Sequence, residues 1–99
     1  MNHRECLVTL NGANYTGTMS VTEKNISCVK WNEHTSKLND GHFPLDVSIT
    51  AAQNYCRQPT GNLGSKPWCY TKTTAPNTYW GYCSIDRCGE NEKYILLLK

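Results

Sequence analysis

Ninety-nine residues carrying a net charge of +2 make one small domain, too short for a second catalytic unit and too weakly basic to imply nucleic acid as a partner. Leu, Ile, Val and Phe together supply only 17 side chains, and four of these (Ile95, Leu96, Leu97, Leu98) sit at the extreme C-terminus. A supply that thin points to disorder when net charge is high; with a low charge, three Trp and six Tyr, it points instead to a fold held by something other than aliphatic burial.

In chain order, residues 1–5 form a short leader without the apolar run of a signal peptide, so the chain reads as a piece of a longer secreted or cell-surface protein. From there the sequence is punctuated by turn formers: Asn11-Gly12, Gly17, Asp40-Gly41, Pro44, Pro59, Gly61, Gly64, Pro67, Pro76, Gly81 and Gly89. Two N-glycosylation sequons, Asn14-Tyr15-Thr16 and Asn25-Ile26-Ser27, lie in the first third. No stretch keeps a helical apolar period for more than a few residues; "PLDVSITAAQNYC" has room for one helical turn. Short strands are expected at Trp68 to Thr73 and Tyr79 to Ser84, joined through "KTTAPN" as a hairpin. The tail 89–99 ends in "KYILLLK", which reads as a linker or a strand leading onward and is far shorter than the roughly 20 apolar residues of a membrane span.

Six cysteines, at Cys6, Cys28, Cys56, Cys69, Cys83 and Cys88, are an even set spread over nearly the whole chain. Small secreted domains replace a missing core with cross-links, so a disulfide framework and an oxidising, extracellular compartment are expected. Their spacing alone leaves many connectivities open. Structural zinc asks for paired Cys or Cys/His knuckles, whereas the closest pair, Cys83-x4-Cys88, has no second pair to complete it; no metal and no cofactor are expected. Neither G-x-S-x-G nor H-E-x-x-H occurs, so no catalytic residue is assigned. From Val47 through Ile85 there is no Asp or Glu, while Arg57, Lys66 and Lys72 lie inside that window. Read linearly, these three cations are uncompensated.

The combination of "NYCR", "PWCYT" and Trp80-x-Tyr82-Cys83-x-Ile85-x-x-Cys88, with Cys6, Asn14-Tyr15-Thr16-Gly17-Thr18 and Cys28-x-x-Trp31 in register before it, resembles a kringle domain from Cys6 to Cys88. The stretch "YTGTMSVTEKN" is similar to the corresponding segment of Ror-type receptor kinases, which tilts the expectation toward cell-surface parents of that kind. The resemblance implies a compact, disulfide-rich, mostly β domain of irregular loops with bridges Cys6 to Cys88, Cys28 to Cys69 and Cys56 to Cys83. In the chain-entropy model an 80-residue loop contributes about 4 to 5 kcal/mol, comparable with the whole stability of a small domain.

Kringles are binding modules, and the resemblance implies a non-catalytic function. In lysine-binding members aromatic rings wall a shallow groove and an Asp-x-Asp pair after "NYCR" and its proline receives the ammonium. Carried onto this sequence, the walls fall on Trp68, Tyr70 and Trp80, the aspartate positions on Thr60 and Asn62, and an often basic position on Tyr79. The aromatics are kept and the anions are not. Arg57 and Tyr55 read as structural. The expected function is therefore a protein-binding module without lysine affinity, for a protein partner of unknown identity; the alternative is a glycosaminoglycan-binding module using Arg57, Lys66 and Lys72. Nucleic acid and direct membrane insertion are not expected.

Overall fold

The computed structural model describes residues 5–9, 11–33, 38–61, 64–72 and 79–88. His3, His34, Asn62, the 73–78 connection and the "KYILLLK" tail lie outside the described residues. Regular structure is sparse: single 3-10 turns at Trp31–Glu33, Asp40–His42 and Pro44–Asp46, then strands β1 (Trp68–Lys72) and β2 (Tyr79–Tyr82). The strands form one antiparallel hairpin with Trp68 opposite Tyr82, Cys69 opposite Gly81, Tyr70 opposite Trp80 and Lys72 opposite Tyr79, the shift between Tyr70 and Lys72 marking a bulge. Both strands start where the β-branched and aromatic pattern predicts. β2 ends earlier than Ser84, at Tyr82, although Cys83 still donates its N–H to Pro67 O at 2.9 Å.

The expected helical turn appears as Pro44–Asp46, with proline at its first position, where its fixed φ suits a helix start and its missing N–H costs nothing. The turn before it is closed by its own side chains. Asn39 Oδ1 accepts from Gly41 N–H at 2.9 Å, and His42 Nδ1 accepts from Asn39 N–H at 2.9 Å. Asp40 Oδ1 accepts from Ile49 N–H at 2.9 Å, tying this turn to the chain beyond Pro44–Asp46. Val47 ends the Pro44–Asp46 turn at φ 75°, a positive-φ conformation that a β-branched residue rarely occupies.

All three disulfides are formed in the pairing the resemblance implies: Cys6 to Cys88, Cys28 to Cys69 and Cys56 to Cys83. The outer one closes the domain, and beside it Leu7 N–H donates to Asp86 O at 2.7 Å while Cys88 N–H donates to Leu7 O at 2.8 Å. The two inner bridges pack on each other, with Cys28 and Cys56 Sγ atoms 3.9 Å apart. Four sulfurs within 4.8 Å of one another would suit a zinc ion as thiolates; here each is committed to a disulfide, and no cysteine is free.

Around this sulfur centre the core is aromatic. Trp31 is 1% exposed, its ring centroid 5.1 Å from Phe43, 5.2 Å from Trp68 and 5.6 Å from Tyr70, and its indole N–H donates to Tyr55 O at 2.7 Å. Tilted and edge-on rings at these separations add to the area they bury. Leu7, Tyr15 and Ala52 complete the cluster. The chain thus meets its shortage of aliphatic side chains with rings and cystines, which is why so few regular hydrogen-bonded elements suffice.

Candidate functional site

The hairpin gathers the aromatic residues. Directly opposed residues share a face of a sheet and alternate residues return to it, so the register places Trp68, Tyr70, Trp80 and Tyr82 on one face. Their rings make a run of edge-on contacts: Trp68 to Tyr70 at 5.0 Å, Trp68 to Trp80 at 5.9 Å and Trp80 to Tyr82 at 5.0 Å. The other face carries Cys69 and Gly81, where Cys69 is pinned by its bridge to Cys28 and the missing side chain of Gly81 makes room for Thr22, whose Cγ2 would lie 3.0 Å from a Cβ there.

Sharing a face does not give these rings equal access. Trp68 is 7% exposed and belongs to the core, whereas Trp80 is 53% exposed and Tyr79 46%. Tyr70 is half-buried, and burial raises its phenol above the ordinary value. Tyr82, which the sequence reading did not single out, completes the run; the W-x-Y spacing of Trp80 and Tyr82 was its signal. Hydrogen bonds from Ser65, first from its side chain and then from its backbone, hold the Tyr82 phenol below its usual value.

Thr60 does not line that aromatic run. It is exposed, donates its N–H to His42 O at 2.9 Å, and borders a separate cavity of about 40 Å³ with His42, Phe43, Asp46 and Arg57. The structure therefore brings Trp68, Tyr70 and Trp80 together, sets Tyr79 exposed at the start of β2, and places Thr60 elsewhere. Asn14 and Asn25 are both exposed; Asn25 has φ 63°, a conformation asparagine tolerates better than most residues, in a turn whose N–H returns to Thr22 O at 2.8 Å.

The linear reading of uncompensated cations is corrected by the fold. Arg57 is buried and forms a two-pronged ion pair with Asp46, Nε to Oδ2 and Nη2 to Oδ1, both at 2.9 Å. Its Nη1 donates to Gly17 O at 2.8 Å and to Cys56 O at 2.9 Å, and the guanidinium lies 5.5 Å from the Tyr15 ring centre and 5.3 Å from that of Tyr55. Its backbone exchanges hydrogen bonds with Trp68 at 3.1 and 3.0 Å, so this residue fixes β1 to the body. Lys66 Nζ lies 2.9 Å from Glu23 Oε1 and 5.8 Å from the Tyr82 ring centre. Both carboxylates come from outside the acid-free window. No local signal could have found them, because folding brings them from 11 and 43 residues away.

A groove of about 240 Å³ lies between the 22–26 turn and the hairpin, lined by Thr22, Glu23, Lys24 and Ile26, by Thr71 of β1 and by Trp80 to Tyr82 of β2. Among the described residues no helix is long and apolar enough to cross a membrane.

Comparison with known proteins gives one family and a consistent set of relatives. The kringle domain family model matches residues 6–88. Kremen protein 1 of Xenopus laevis is 37% identical over 89 residues, which cover 87% of this chain and 19% of that protein. Putative apolipoprotein(a)-like protein 2 of Homo sapiens is 38% identical over 90 residues, covering 88% of this chain and 63% of that protein. Kremen protein 1 of Rattus norvegicus is 38% identical over 87 residues, covering 85% and 18%. The chain thus spans under a fifth of the length of the Kremen proteins and less than two thirds of the apolipoprotein(a)-like protein.

Proposed function

This chain belongs to the kringle family, and from that premise we propose that it acts as a non-catalytic, extracellular protein-binding module, part of a longer secreted or cell-surface protein, whose contact surface is the outer end of the hairpin and which does not take up free lysine. The observation that carries the reading is the exposure of Trp80 and Tyr79, 53% and 46%, on a hairpin tied down by two cystines through Cys69 and Cys83. Exposed Trp and Tyr on a rigid support are the residues that anchor protein interfaces, because they offer large contact area at small cost in side-chain entropy. Glycans at Asn14 and Asn25 belong to the same proposal and suit two exposed sequons.

The lysine reading rests on charge. Thr60 and Asn62 are neutral, and each missing aspartate removes a charge-assisted hydrogen bond worth about 1.5 to 3 kcal/mol, so ammonium binding should fall at least about a hundredfold. Asp46 and Glu23, the carboxylates nearest in space to Arg57 and Lys66, already hold those cations. The glycosaminoglycan alternative must then rely on Lys72 and on exposed cations such as Lys24 and Lys30, since Arg57 is buried and Lys66 is paired.

Two experiments test the proposal. Titration with 6-aminohexanoic acid, followed by tryptophan fluorescence, should give no saturable change into the millimolar range; saturable binding by the unmodified domain would overturn the loss of lysine affinity. A photoreactive phenylalanine in place of Tyr79, in the full-length parent on cells, should cross-link a second protein, and one in place of Glu33 should not. Equal capture from both positions, or from neither, would remove the hairpin as the contact surface.

A further inference from the structure

The outer edge of β2 is an incomplete strand pair. Trp68 exchanges both backbone hydrogen bonds with Arg57, and Tyr70 O accepts from Val29 N–H, so both residues direct their main-chain groups away from β2. In an antiparallel ladder the residues opposite them must do likewise, which turns the N–H and C=O of Tyr82 and Trp80 outward. Tyr82 O is met by Glu23 N–H at 2.8 Å. Among the described residues nothing meets the Trp80 pair. The 22–26 turn therefore covers this edge at Tyr82 and leaves it open one pair further along, where the 240 Å³ groove lies.

Resting on the reading of the domain as a protein-binding module, we propose that this edge receives an extended segment of the partner protein as a short third strand, pairing with the main chain of Trp80, and that the segment is apolar at its centre and acidic where it passes Lys24. An open N–H and C=O on one residue present a donor and an acceptor in line, which an extended backbone matches with two hydrogen bonds. Side chains of such a strand alternate in direction. The residue opposite Trp80 lies beside its exposed indole, and a neighbour enters the groove against Ile26, itself 48% exposed. The acidic position follows from the rim. Glu23 is neutralised by Lys66, and Lys24, exposed and without an ion pair among the described residues, remains as a cation lining the groove.

The test uses the intact disulfide-bonded domain and three blocked pentapeptides: acetyl-Glu-Val-Leu-Val-Glu-amide, the same peptide N-methylated at its leucine and at the valine on either side, and acetyl-Lys-Val-Leu-Val-Lys-amide. The acidic peptide should bind saturably in the millimolar range and slow hydrogen exchange of the Trp80 amide at least about fivefold, as expected when an open edge amide becomes paired. N-methylation should abolish both effects, the lysine peptide should bind at least about threefold more weakly, and Lys24→Glu should reverse that preference. The inference is overturned if none of the peptides binds, if N-methylation leaves binding unchanged, or if protection appears elsewhere than at Trp80. Cross-linking from Tyr79 in the full-length parent that persists in any of those cases would retain the protein-binding reading and remove strand addition alone.

Discussion

Replacing Asp46 by asparagine should unsettle this domain far more than the loss of a surface charge. Arg57 and Asp46 have side chains only 5% and 9% exposed, so water cannot take over the guanidinium when its carboxylate is lost. Asparagine keeps the volume and one oxygen, which accepts one of the two bonds now made at 2.9 Å, but it leaves a buried positive charge. Breaking a buried pair from one side costs about 3 to 5 kcal/mol, and for a domain of this size that should lower the melting temperature by about 10 °C or more. Arg57→Met should be worse, because it also strands the Gly17 and Cys56 carbonyls that Nη1 serves, each at about 1 to 3 kcal/mol. The double variant Asp46→Asn with Arg57→Met should cost less than the sum of its parts, since it buries no unpaired charge. Thermal and urea unfolding with the disulfides intact would measure all four proteins. A loss below about 1 kcal/mol for Asp46→Asn would refute the reasoning, because it would put the pair in the class of solvent-screened surface bridges.

Three further outcomes are expected. Gly12 has φ 69°, and a Cβ there would lie 2.5 Å from Pro67 Cγ and 2.9 Å from Leu7 Cδ2, so Gly12→Ala should destabilise by about 2 to 4 kcal/mol in urea unfolding through strain and overpacking together. Val47, 85% exposed at φ 75°, loses little contact on replacement, and Val47→Gly should raise stability by about 0.5 to 1.5 kcal/mol in the same assay, the relieved strain exceeding glycine's entropic cost. Tyr15 is 1% exposed, and burial, foremost among its causes, pushes its phenol up to about 12 from 10.0. Because the unfolded chain ionises first, its contribution is complete below pH 10 and is lost as pH rises toward 12, at up to about 1.4 kcal/mol per pH unit; Tyr15→Phe should remove that part of the alkaline slope in short incubations between pH 10 and 11.5.

Several features of this chain were determined locally and could be read from the sequence. Cysteine number and spread demanded a cross-linked fold, because the aliphatic residues were too few to hold one. The starts of both strands at Trp68 and Tyr79 and the turn at Pro44 follow from residue types whose φ preferences act within a few positions, and the pattern shared with kringles carried the disulfide pairing that spacing left open. The tertiary structure decided which groups meet. Coulomb attraction has no sequence range, so Arg57 found Asp46 and Lys66 found Glu23 across the acid-free window, and two cations that looked unpaired in the sequence have carboxylate partners, the first of them buried in the fold. Alternation puts Trp68 and Trp80 on one face of the hairpin, but only the packing of β1 against Trp31 and Arg57 buries the first, while β2, at the rim of a two-stranded sheet, leaves half of the second in water. Burial depends on what the rest of the chain lays over a surface, and that is decided by residues far away in sequence.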